Sequence, residues 1–289
     1  MHPLRSTPWR CAAIGMAAAL AFGAHAAEPE ASDSHLPLWE VGVGAGAVVA
    51  PAYLGSNVTR SYVAPWPYLI YRGDKLHANR EGIGLGVLNT DKLRLDLSLS
   101  GALPVYSRDT AREGMRDLPV VGEFGPVLKY KLIDEPGNRW SLHFPVRYAT
   151  GVRRSGLEQV GWIADPTLRI IESINLMGQR LDWGLDASVK FQDRHFNDYY
   201  YRVLPSEATA QRAAYNSQGG YAGTTFNTGL LARWDHVVVG GFVGVSNIAG
   251  ARFEDSPLVQ KKTNLFGGLA VFWIIDKSSE TATYVASLR

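Results

Sequence analysis

Serine and histidine are the residue types in this chain that could form a hydrolytic pair, the serine as nucleophile and the histidine as its base. Ser98 and Ser100 stand in the run KLRLDLSLSG, Lys92 to Gly101, and the candidate bases are His77, His143, His195 and His236. Such a pair requires contact between the two side chains. Strict alternation puts Ser98 and Ser100 with Arg94 and Asp96 on the polar side of an extended segment, and no histidine lies near them in sequence. His77 and His143 alternate onto the charged faces of their own segments, while His195 and His236 fall in a loop and a turn. Ordinary polar lining is the better reading of all of them. The expectation is a protein that is not an enzyme, with no catalytic residue.

A metal site fares no better. No His, Cys, Asp and Glu grouping has ligand spacing, and the one cysteine is Cys11, near the N-terminus. Gly42-Val-Gly44-Ala-Gly46 has the look of a nucleotide loop but lacks the helix that should follow, so it reads as close packing or curvature within a strand. No metal or cofactor is expected. With 29 basic and 27 acidic residues, for a net charge of +2, there is no footprint for nucleic acid either.

The chemistry that remains is a set of charges of both signs, each opposite an apolar face. Arg94, Lys129, Arg147, Arg169, Lys190 and Arg233 are joined by Asp96, Glu123, Asp165, Asp182 and Asp186, at positions that alternate with largely apolar residues. A ring of one sign would suggest an ion-selective pore. Mixed signs suggest pairing in a narrow, filled or weakly selective lumen, because an unpaired buried charge is costly.

The elements that position these charges are extended segments at 38–50, 61–72, 75–79, 83–89, 92–103, 120–133, 138–150, 160–176, 180–192, 222–235, 236–250 and 263–275. Short connectors rich in turn residues alternate with longer ones at 51–60, 104–119, 151–159, 193–221 and 251–262. That is the layout of an all-β, up-and-down transmembrane barrel of about twelve strands, ten being the alternative, with both termini periplasmic. Trp39, Trp140, Trp183, Trp234 and Trp273 all fall at the short-turn ends of their strands, as an interfacial girdle requires. Ahead of the barrel, Arg5 and Arg10 precede the apolar run CAAIGMAAALAF and an Ala-His-Ala site, which together read as a signal peptide. The organisation expected is a signal peptide at 1–26, a periplasmic linker at 27–37, the barrel at 38–276 and a tail at 277–289.

Scattered motifs add a resemblance. Pro51-Ala-Tyr53-Leu-Gly55-Ser56, Pro65-Trp-Pro67, Tyr71-Arg-Gly73, the segment Tyr199 to Ala208, and Asp255-Ser256-Pro257-Leu-Val259 occur in the order seen in the MipA/OmpV family, which this chain resembles over its whole length after the signal peptide. The resemblance implies a Gram-negative outer-membrane barrel in contact with lipid and lipopolysaccharide. It also implies a scaffold that links murein lytic transglycosylase and murein synthase to the outer membrane. The residues leave open a narrow small-solute channel, a surface adhesin and a lipid-modifying barrel enzyme. Five tyrosines between Arg194 and Tyr221 mark either a binding surface or a plug in the barrel mouth.

Overall fold

The computed structural model describes residues 36–73, 75–79 and 82–281. The expected signal peptide, most of the linker and the end of the tail lie outside the described residues. Period-two alternation governs what is seen. In β5 (Leu93–Ala102) the exposed Leu93, Leu97 and Leu99 alternate with Arg94, Asp96, Ser98 and Ser100, and Asp96 is buried. In β13 (Thr263–Lys277) Leu265, Leu269, Val271, Trp273 and Ile275 are exposed, while Asn264 and Ile274 are buried on the opposite face. Apolar outside and polar inside is the polarity of a barrel whose solvent is lipid.

The other strands, in chain order, are β1 (Trp39–Pro51), β2 (Thr59–Arg72), β3 (Leu76–Asn79), β4 (Gly82–Asn89), β6 (Val121–Glu135), β7 (Asn138–Arg153), β8 (Gly156–Ala164), β9 (Thr167–Leu176), β10 (Gln179–Gln192), β11 (Gly220–Arg233) and β12 (Val237–Asn247). All pairings are antiparallel, and β13 returns to pair with β1, which closes the ring. β8 and β9 are a single crossing interrupted at Asp165-Pro166. β7 pairs with β8 through Val146–Arg153 and with β9 through Asn138–His143. Proline has no amide to give the ladder, so the break falls there. The barrel therefore has twelve strands, on the order of 24 Å across at a spacing of about 4.8 Å and a tilt near 40°.

Two local expectations need correction. The connector read as a long loop at 151–159 is a tight turn at 154–155, because β7 and β8 stay paired to Arg153 and Gly156. Gly156, at φ +132, supplies backbone geometry that other residues resist. The stretch 193–221 is not wholly irregular either. It contains a helix, α1 (Arg194–Tyr201), with Asp193 as its N-cap accepting from the Phe196 amide at 2.8 Å, followed by a 3-10 turn at Pro205–Glu207. The glycines of β1 do serve close packing. A Cβ on Gly44 would stand 2.2 Å from the Val271 carbonyl oxygen and 2.4 Å from the Phe272 ring.

Candidate functional site

The lumen is built in three tiers. In the middle tier the sequence-predicted charges meet largely in pairs. Arg94 of β5 lies 2.8 Å from Asp96, whose carboxylate also receives Lys129 of β6 at 3.2 Å. The Arg94 guanidinium is also 2.9 Å from His77 Nδ1 on β3. Arg169 of β9 grips Asp186 of β10 with two bonds of 2.8 and 2.9 Å, a bidentate geometry that fixes both side chains. Arg147 of β7 sits 3.9 Å from Glu123 of β6 and donates to Ser98 Oγ at 3.2 Å. Ser173 donates to Asp182 at 2.6 Å, and Arg180 approaches the same carboxylate at 3.4 Å. Between these groups lies a cavity of about 230 Å³ whose lining includes Asp165 and Lys190.

The tier at the short-turn end is a floor that sequence reading missed. Glu40 of β1 is fully buried and accepts from Arg233 at 2.6 and 2.9 Å and from the Tyr68 hydroxyl at 3.0 Å, with Arg72 at 3.4 Å. Tyr68, Ile70, Leu231, Val238 and Ile274 pack together beside it. Arg233 was legible as a lumenal charge, but its partner was not. Glu40 is followed on its inward face by Gly42, Gly44 and Gly46, so no second polar residue marks that face.

At the long-loop end an apolar cap covers the mouth, and the motif residues meet inside it. Tyr53, Val105, Leu118, Phe196, Tyr199, Tyr201, Phe253 and Leu258 belong to one buried cluster. Tyr53 donates to the Leu258 carbonyl at 2.8 Å, and Ser256 donates to the Tyr201 carbonyl at 2.8 Å. Asn264 bridges Gly55 and Ser56, accepting from one amide at 2.9 Å and donating to the other's carbonyl at 2.8 Å. Gly55 takes φ +90 there, which favours glycine. Tyr201 stacks on Phe253 with ring centroids 3.7 Å apart. Pro51 ends β1 just below this cluster, Pro257 lies between Ser256 and Leu258, and Asp255 is exposed beside them. The tyrosine-rich segment is thus mostly cap rather than open surface. Burial pushes the Tyr53 and Tyr199 phenols up to about 12.

Pro65 lies on β2, apart from the cap motifs. Trp39, Trp140, Trp183, Trp234 and Trp273 lie at the short-turn rim, with Trp234 and Trp273 well exposed and Trp183 donating to Thr228 at 2.8 Å. Ser98 contacts Arg147 rather than a histidine, and His143 is 2.9 Å from Ser141 Oγ. Among the described residues no group of three or more His, Cys, Asp or Glu side chains could hold a metal.

A closed twelve-stranded antiparallel barrel with an apolar outer band, a polar lumen and tryptophans at one rim is an outer-membrane β-barrel protein. No helix among the described residues is long and apolar enough to cross a membrane. The chain belongs to the MipA family, described as MltA-interacting protein MipA, whose profile matches residues 43–275. It is 24% identical over 242 residues to "Putative outer membrane protein YiaT" of Escherichia coli O157:H7 and of strain K12, covering 81% of this chain and 90% of each relative. Among solved structures it is similar to the NanC porin (TM-score 0.38, 7% identity, 81% of this chain and 98% of that one). It is also similar to the CymD monoaromatic hydrocarbon channel (0.37, 12%, 90% and 97%) and to LpxR from Salmonella typhimurium (0.33, 9%, 80% and 99%). Similarity at that level carries nothing about activity.

Proposed function

We propose that this protein is a non-conducting outer-membrane barrel that acts as a docking platform for cell-wall enzymes. In this reading the short turns and both termini face the periplasm, and the cap faces lipopolysaccharide. The observation that carries the proposal is what stands at the two ends, a buried apolar cluster at one mouth and the Glu40, Arg233 and Arg72 ion cluster at the other. A lumen lined largely by matched charge pairs suits a rigid pillar better than a conduit. The family description supports a murein lytic transglycosylase as one partner, and a murein synthase would complete the assembly. The paired serines, histidines and carboxylates support a structural role over a catalytic one.

Two measurements test this. In planar bilayers the purified barrel should give no steady conductance, and a stable open level would overturn the closed-lumen reading. Crosslinking in intact envelopes should capture a lytic transglycosylase at the short-turn face. Its absence, under conditions that trap a known envelope complex, would overturn the docking reading.

A further inference from the structure

The barrel wall is incomplete on one side. β3 has four residues and meets β2 only at Tyr71 and Arg72, so among the described residues β2 from Thr59 to Ile70 has no strand on that flank. Across the gap, β4 meets β5 among the described residues only from Arg94 to Ser98, so the upper part of β5, though paired with β6, has no strand on its β4 flank. With the β3–β4 hairpin between them, β2 and β5 are three strand spacings apart, roughly 14 Å at about 4.8 Å each. The loop over this gap bonds to β2 at its top, where Arg60 donates to the Arg108 carbonyl at 2.6 Å. The opening is therefore a window with a lintel.

Backbone direction shows that β2 is built as an edge. The Arg72 amide donates to the Leu38 carbonyl, on the β1 side, and the β1–β2 register runs unbroken from Trp39–Tyr71 to Pro51–Thr59. Even-numbered residues of β2 therefore turn their amides to β1, and odd-numbered residues turn theirs to the window. Pro65 and Pro67 are odd. The two residues of this strand that have no amide to donate both lie on the flank that has no neighbour, which is where proline belongs in a sheet. The same prolines disfavour completion of the wall by an added strand from another protein, which would lose two donors within three residues.

Among the described residues no strand meets the carbonyls of Ser61, Val63 and Pro65 on that flank, and such groups cannot stand against hydrocarbon without large cost. They need water or a polar ligand group. Directly inside the window, Gly84, Ser98, Ser100 and Gly101 line the cavity. Farther in, Asp165 presents a buried carboxylate oxygen with no hydrogen-bond partner, and Lys190 lines the same space. Outside, the rim is apolar, with Val63 80% exposed and Leu69, Leu97 and Leu99 about half exposed. Cap and floor stand at the two axial ends, and the window opens from the side.

We infer that the window between β2 and β5 is a lateral portal that admits a phospholipid with a zwitterionic head group. The head enters the cavity, its amine facing Asp165 and its phosphate facing Lys190, while the acyl chains stay against Val63, Leu69 and Leu99. This goes beyond the docking role and does not depend on it.

The test uses the full barrel in vesicles of phosphatidylethanolamine and phosphatidylglycerol. A photoreactive benzoylphenylalanine at Ala64, inward-facing on β2, should capture phospholipid at the glycerol carbons that pass through the window. The same label at Asn227, inward-facing on the far wall, should capture none. Absence of lipid adducts at Ala64, equal glycerol capture at both sites, or capture of a protein at Ala64 would overturn the proposal. The unsubstituted barrel provides an independent readout by hydrogen exchange. Amides of Ser61 and Val63 should exchange on the order of a hundredfold faster than those of Tyr62 and Ala64. Equal protection of both sets would mean that the wall is closed, and the portal would be refuted.

Discussion

Replacing Glu40 by methionine tests the floor and the physics behind it. The carboxylate is fully buried and faces two guanidinium groups, at 2.6 Å for Arg233 and 3.4 Å for Arg72, both themselves mostly shielded. At charge separations near 4 Å and an effective dielectric of about 20, each attraction is roughly 4 kcal/mol before desolvation is subtracted. Most of that is offset by the cost of burying the ions. Removal of one partner, however, leaves the others buried and uncompensated, which costs about 3–5 kcal/mol. Glu40→Met should therefore lower the stability of the barrel by about 3–5 kcal/mol, read as a fall in the urea midpoint at unchanged slope in lipid vesicles. Arg233→Met should cost less, because Glu40 keeps Arg72. The double variant should recover roughly 1–3 kcal/mol relative to the sum of the single changes, since the two groups share one network. A Glu40→Met cost below about 1 kcal/mol, or strict additivity in the cycle, would show that the floor is wet and the ion cluster incidental.

Leu97→Arg should impair assembly by about 2–4 kcal/mol, because Leu97 faces lipid. The neighbouring Ser98→Ala loses only contacts of 3.2 Å and should cost about 1 kcal/mol or less; folding yields in vesicles distinguish the two. Asn264→Ala strips the bridge between Gly55 and Ser56 inside the cap and should cost about 1–3 kcal/mol, seen as a lower unfolding midpoint. Tyr53 and Tyr199 should stay protonated until about pH 12 while exposed tyrosines ionise near 10, giving two steps in phenolate absorbance. Because burial raises these pKa values above those of the unfolded chain, their contribution is complete below about pH 10 and is lost as pH rises through about 12. A single step near 10 would mean that the cap is loose.

Most strands were legible because lipid and lumen impose opposite polarity at every second residue, so Arg94, Asp96, Lys129, Arg147, Arg169 and Asp186 could be assigned inward from alternation alone. Which charge pairs with which could not. Asp96 takes one partner from its own strand and another from β6, and only the register between strands brings them together. Glu40 was hidden by the glycines that follow it. The cap was illegible for a different reason. Tyr53 and Leu258, or Gly55 and Asn264, are more than 200 residues apart, and their contacts depend on closure of the ring by β13 on β1. The 154–155 turn was misread because alternation at the tips of β7 and β8 is weak, with Gly151, Arg153, Arg154 and Ser155 all compatible with a loop.

The incomplete wall shows how an element count can be right and still conceal a feature. Twelve extended segments are present in the sequence, yet a transmembrane strand needs about 9–11 residues, and 75–79 is far too short to be one. The segment before it carries Pro65 and Pro67 in the middle of an otherwise strand-like run. Short strands beside a strand with prolines at alternate positions can be reconciled physically only if that strand is an edge, because a central strand would forfeit ladder bonds on a paired side. The two observations support each other. The hairpin closes the ring at its short-turn end, pairing with β2 at Tyr71 and Arg72, and among the described residues no strand meets the flank on which the prolines stand. Complete closure would have required either a longer β3 and β4 or their removal, with β2 and β5 paired directly. The chain does neither. It keeps a polar cavity behind an edge whose carbonyls need hydrogen-bond donors, and that combination is what a site for the head group of a lipid requires.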